Sequence, residues 1–373
     1  MNVSDTQSKV QAPAGSAPAK ESKPASSKEP SAPPAKPNDT FESQPKAKGP
    51  VLDGAPRTTP ATAAAATAAT DLPPGVTPEK MAEMAKDMDT HLSTFPTRDS
   101  AVLEAEAYAH AADLVQAEYP NLTNAQKMDM TVALSFYAVN GPEQIDNLSK
   151  VDSGQTQVLP MVKAIHSQDP KGDLKADTSA PGETDNDPNT TTTLDPEMDD
   201  HTGGQAFHTN FFVAGAYVAG TDVVRQEVLF GANVFHESLD PGDDGKSPQD
   251  YFASSAGQAI GGKALIDLRN QPDGFKYAAA AMYGMMSAQG TALPERFGGP
   301  DPAQATALST RLQATRDSED FKTFFGVDSP PAKYLVEPAS WVTHNIWVPT
   351  LKLIFAQILR LQGKDVPLGN SVK

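Results

Sequence analysis

Three of the seven histidines in this chain fall between Asp199 and Gly262. Two of them, His208 and His236, lie almost symmetrically about Gly220-Thr221. The pattern predicts an antiparallel helical hairpin: one helix from about Gln205 to Ala219, a turn at Gly220, and Thr221 capping a second helix from Asp222 to about Ser238. Each histidine would stand some 20 Å from the turn, on helix axes about 8–10 Å apart, so both share the open end of the hairpin. Asp199, Asp200 and His201 lead into that end.

Neutral imidazoles bind divalent metals or act as general bases near pH 7, and a neighbouring carboxylate fixes the tautomer. His208, His236, Glu237 and an aspartate among Asp199, Asp200 and Asp250 satisfy either scheme. The candidate catalytic set is therefore His208, His236, Glu237, Asp200 and Asp250, and the candidate ligands for a divalent metal are His208, His236 and Asp200. Buried or capping histidines are the plain competing reading. Glu237 follows His236 directly and points about 100° away on a helix, so the two converge only where the helix ends. The zinc-protease pattern HExxH is absent, because Ser238, Leu239 and Asp240 follow His236-Glu237. Asp250 also has a cheap explanation as the third residue of a capping box opened by Ser247.

The elements that must position these residues read as helices. Thr77-Pro78 opens the first; a second begins at Thr97 and is ended by Pro120; Thr123 and Gln126 have capping-box spacing, with Gly141 as the stop. After the hairpin, a third helix runs from Pro248 to about Leu268, then helices at about Phe275–Gln289, Pro302–Arg316 and Ser318–Phe325. A last segment extends from Ser329 to Leu361, broken at Pro338 and Pro349, with an apolar stripe at Leu351, Ile354, Phe355 and Ile358 read as core and His344 between two tryptophans. Sustained strand alternation is absent, so the fold class is all-α: a multi-helix globular domain on a central helical hairpin. Gly215, Gly231, Gly257 and Gly261, each costing about 1 kcal/mol against alanine inside a helix, imply closely packed backbones around that hairpin.

Within the first bundle, Glu106 and His110 stand four apart, the spacing of carboxylate-bridged metal sites. Such a site needs a matching pair on another helix, and without a second Glu/His pair of this kind it reads as a solvated one. His91 and His166 read as ordinary surface or boundary residues.

Residues 1–75 are rich in Pro, Ala, Ser, Lys and Thr, with Phe41 as the one aromatic, and read as a disordered tail. Residues 76–166 form the helical bundle and 204–363 the helical core domain, or 76–363 one domain. Between them, 167–203 is an acidic loop read as a solvated linker; its aspartates, including Asp185, Asp187 and Asp195, lack the full EF-hand pattern for calcium. The formal net charge is −17. The tail is nearly neutral, so the acidic excess belongs to the remainder, which argues against nucleic acid and anionic membranes and for a protein partner, cations or divalent ions. The absence of cysteine excludes disulfides, thiolate metal sites and a Cys nucleophile. The first thirty residues carry no apolar core of a cleaved secretory signal, and no transmembrane segment is expected.

Phe207-His208, Tyr217, His236-Glu237, Asp250, Gly257 and Gly261 resemble a pattern in helical domains of uncharacterised bacterial secreted and toxin-like proteins. Ala206 stands here where that pattern often has arginine, and the asparagine that usually follows the aspartate is missing. The Ser/Pro/Ala-rich start looks like the export region of type III secreted effectors. These resemblances imply an exported effector or toxin-like protein, secreted without a cleaved signal into a host cell, with cytoplasmic residence as the alternative. Its activity would be a hydrolase's, using His208 and His236 with a carboxylate; the alternative function is a non-catalytic helical effector or accessory protein that binds another protein.

Overall fold

The computed structural model describes residues 72–97, 99–176, 193–199, 205–239 and 248–333. Among these residues every regular element is helical, apart from one isolated bridge between Leu194 and Ser287. In chain order the helices are α1 (Pro78–Ser93), α2 (Ser100–Glu118), α3 (Asn124–Asn140), α4 (Ile145–Val151), α5 (Val158–Gln168), α6 (Gln205–Ala219), α7 (Val223–Leu239), α8 (Pro248–Ala259), α9 (Ile266–Arg269), α10 (Ala278–Met286), α11 (Pro302–Arg316) and α12 (Glu319–Phe325). The 1–71 tail, the middle of the acidic loop and the 334–361 segment, His344 and its apolar stripe included, lie outside the described residues.

Local chemistry accounts for most boundaries. Thr77 accepts from the Lys80 amide ahead of Pro78, and Thr123 with Gln126 makes the reciprocal capping box that opens α3. Two expected caps sit elsewhere. The α2 cap is Asp99, whose Oδ1 accepts from the Ala101 and Val102 amides, while the Thr97 hydroxyl accepts from the Asp99 amide. Asp222, not Thr221, caps α7, its Oδ1 accepting from Val224 and Arg225. In both cases a carboxylate outcompetes a neighbouring hydroxyl for the amides at the positive end of the helix. The short helices α4 and α5 escape a reading of apolar period because Pro142, Gly154 and Pro160 interrupt it.

The hairpin is present and central. Gly220 turns it in the left-handed region at φ 58°, α7 returns against α6 with Leu229 packed on Gly215, and α8 then runs parallel to α6. A Cβ at Gly257 would collide with the Thr209 carbonyl, and one at Gly261 with the Val213 carbonyl, so α6 and α8 meet backbone to backbone. Gly261 lies in a π-helical turn, Ile260–Leu265, that joins α8 to α9.

The helices before and after the acidic loop share one apolar core, which runs from Val76 to Ala332. Here α3 lies against α2, α5 and α6, while α10 packs between α2 and α11. Asp129 of α3, fully buried, is a polar knot in it: Arg269 grips both oxygens at 2.8 and 3.0 Å, and Tyr217 and the Gln157 amide donate at 2.6 and 2.9 Å. Arginine neutralises the buried carboxylate, and the pairing holds Arg269 firmly protonated.

Both flanks of the expected solvated linker dock instead on this core. Asp169 is buried, accepting from the Tyr137 hydroxyl and the Asp173 and Leu174 amides, and the Ala176 amide donates to Ala138. On the other flank Leu194 and Met198 are buried, and Asp195 pairs with the buried Arg316 at 3.0 Å. Leu72 also packs on the core and the Val76 amide bonds to Pro73, so order begins before residue 76. Backbone hydrogen bonding and a few apolar side chains hold these polar stretches where composition alone predicts solvent.

Candidate functional site

Of the residues expected at the open end of the hairpin, the structure brings together His208 and Asp250. His208 Nε2 stands 4.0 Å from Asp250 Oδ2, and the buried Gln205 amide donates to Asp250 Oδ1 at 2.5 Å. The geometry follows from helix periodicity: Gln205 and His208 are one turn apart on α6, and Asp250 faces them from the first turn of α8. Asp250's carboxylate thus reaches across to α6 as well as sitting where a capping box would place it. Both side chains keep partial solvent access, 19% for His208 and 12% for Asp250.

Next to His208 on α6 and one turn after Asp250 on α8, the Thr209 and Ser254 hydroxyls are buried and have no hydrogen-bond partner among the described residues. Below them the Gly257 and Gly261 contacts close the seam. The site is therefore a partly exposed histidine–carboxylate pair at the start of a seam where α6 and α8 meet backbone to backbone. A carboxylate beside an imidazole orients the ring and supports an imidazolium, the arrangement used for general acid–base transfer.

His236 and Glu237 belong to the last part of α7, but their side chains lie outside the described residues, as do Asp200 and His201. Asp199, at the end of the 193–199 segment, is buried.

A second histidine cluster was not assembled from sequence. On α1, Asp87 and His91 stand four apart; on the antiparallel α2, Glu106 and His110 do the same. They pair crosswise: His91 Nε2 donates to Glu106 at 2.9 Å and His110 Nε2 to Asp87 at 2.6 Å, while the two rings stack with centroids 3.9 Å apart. Glu106 is buried rather than solvated, and Arg296 clamps both its oxygens at 3.0–3.2 Å while reaching Asp113 at 2.6 Å. Burial and the neighbouring His91 hold His110 below the ordinary histidine value, against the pull of Asp87. The signal that could have found this cluster was the Asp87-x-x-x-His91 pair, the missing counterpart of Glu106-x-x-x-His110 with aspartate in place of glutamate.

No known protein family, curated protein or solved structure matches the chain.

Proposed function

We propose that this chain is an exported bacterial effector or toxin-like protein that acts as a hydrolase, with His208 and Asp250 as its acid–base pair. The observation that carries the reading is the 4.0 Å approach of His208 to a carboxylate held from its other side by Gln205. That distance is open for a hydrogen bond, as catalytic contacts commonly are before substrate binds. In this reading Asp250 orients the imidazole and His208 moves the proton between water and the leaving group. His236, Glu237 and Asp200 are, in the same reading, the further candidates for acid–base partners or for ligands of a divalent ion. The export assignment is supported by the composition of the first 75 residues.

The test is turnover of a panel of chromogenic carboxylic, phosphate and glycosidic esters by wild type, His208→Ala and Asp250→Asn, with thermal melting alongside. Loss of about 100-fold or more in either variant, at unchanged melting temperature, is expected from removal of a general acid–base group. A panel untouched by wild type, or turned over equally by His208→Ala, overturns the enzyme reading.

A second reading is favoured by Val224 and Val228, 68% and 53% exposed and four apart on α7, which are large apolar side chains left to solvent on an otherwise acidic protein. A non-catalytic effector would use that face to hold a protein partner with a basic rim around an apolar centre. Val224→Asp with Val228→Asp would then abolish partner binding, while His208→Ala would leave it intact.

A further inference from the structure

We propose that α1 and α2 form a divalent transition-metal site of the zinc type, with His91, His110, Glu106 and Asp87 as its ligands and Arg296 holding the glutamate from outside. The chemistry of the donor set leads to this assignment. Two imidazoles and two carboxylates are the nitrogen and oxygen donors that zinc and its neighbours in the first transition series take, four at a time. Calcium and magnesium prefer sites made of oxygen alone.

The geometry agrees. Ligand atoms of His91, Glu106 and His110 already lie within 4.8 Å of one another, and the two cross-helix His–carboxylate pairs are at 2.9 and 2.6 Å. At metal–ligand distances of about 2.0–2.1 Å, tetrahedral donors stand about 3.3 Å apart, so each pair opens slightly and the three-atom group contracts. On coordination each Nε2 gives its lone pair to the ion and the ring proton resides on Nδ1, so neutral imidazoles remain neutral.

Charge supplies a second, independent argument. Three carboxylates, Asp87, Glu106 and Asp113, surround this cluster against the single guanidinium of Arg296. A divalent cation balances the remainder. Arg296 then plays the part of an outer-shell partner, fixing Glu106 through both of its carboxylate oxygens.

The site is on different helices from His208 and Asp250, so the proposal stands apart from the hydrolase reading. Its test uses the full chain, stripped with chelator and titrated with Zn²⁺ by calorimetry and with Co²⁺ by visible absorption. One equivalent should bind, with the intense ligand-field bands of four-coordinate cobalt. His91→Ala, His110→Ala and the milder Asp87→Asn should each weaken binding by 10-fold or more, and His166→Ala should leave it unchanged. Wild type without saturable binding overturns the proposal. So does Zn²⁺ affinity that survives both histidine replacements, because the ion is then held elsewhere. Should either alanine variant fail to fold, Asp87→Asn, at a side chain 56% exposed, decides through the loss or persistence of the cobalt bands.

Discussion

Glu104 shows what a single residue does to the energetics of this fold. It is completely buried on α2, and neither carboxylate oxygen has a hydrogen-bond partner among the described residues. Burial pushes its carboxyl well above the ordinary value. One turn on, Tyr108 is satisfied: its hydroxyl donates to Asn210 at 3.0 Å, and Asn210 donates to Asn140 and the Ser135 carbonyl. Glu104 thus keeps its proton in the folded chain and releases it in the unfolded one, from about pH 4.3 upward. The folded state then binds more protons than the unfolded state, so stability declines as pH rises through that window. Glu104→Met removes the titration while nearly keeping the volume. Urea unfolding should show the variant gaining on wild type progressively as pH rises from 4.5 to 8. A difference that stays constant across this range would mean that the carboxylate ionises in place.

Among the elements, the contact of α6 with α8 decides whether a site exists at all. Its closeness rests on glycine: a Cβ at Gly261 meets the Val213 backbone, whereas one at Gly262 meets the Gln226 amide group at 3.0–3.3 Å. Backbone cannot yield as a side chain can. Gly261→Ala should therefore destabilise by about 1–3 kcal/mol or more, in spite of the roughly 1 kcal/mol that alanine contributes to helix propensity. Gly262→Ala should cost less, because Gln226 can move. Equal unfolding midpoints for the two variants, at equal m-values, would show that the helices separate freely. Separation there would also spread Gln205, His208 and Asp250, so Gly261→Ala should lose any hydrolytic activity together with stability.

For the whole molecule, the dominant quantity is charge. A formal −17, all of it arising outside the first 75 residues, makes the remainder of the chain repel itself. Several of the described ion pairs are exposed, such as Lys263–Asp267 and Lys80–Glu83, and contribute little each. Screening should relieve more repulsion than it removes attraction. Raising sodium chloride from 0.02 to 0.3 M should lift the melting temperature, with about 1 kcal/mol corresponding to roughly 2–4 °C. A fall would show that ion pairs outweigh the net charge. Among the described residues, no helix is long and apolar enough to cross a membrane.

Read alone, the chain determined what depends on near neighbours. Helix class, the Thr77 and Thr123 caps, the Gly220 turn and the hairpin about it follow from periodicity and from residues within four positions of one another. The need for close helix contact was legible in Gly257 and Gly261, because glycine inside a helix carries a cost that packing must offset. What only tertiary structure decided is which distant groups meet. Asp87-x-x-x-His91 reads as an ordinary exposed stretch until α1 lies antiparallel to α2 and sets it against Glu106 and His110. Arg296, nearly two hundred residues later, arrives by way of the turn after α10. The docking of Asp169 and Asp195 on the core likewise depends on Tyr137 and Arg316, far away in the chain. Spacing along a helix predicts a face; the partner of that face is chosen by the packing of the whole core.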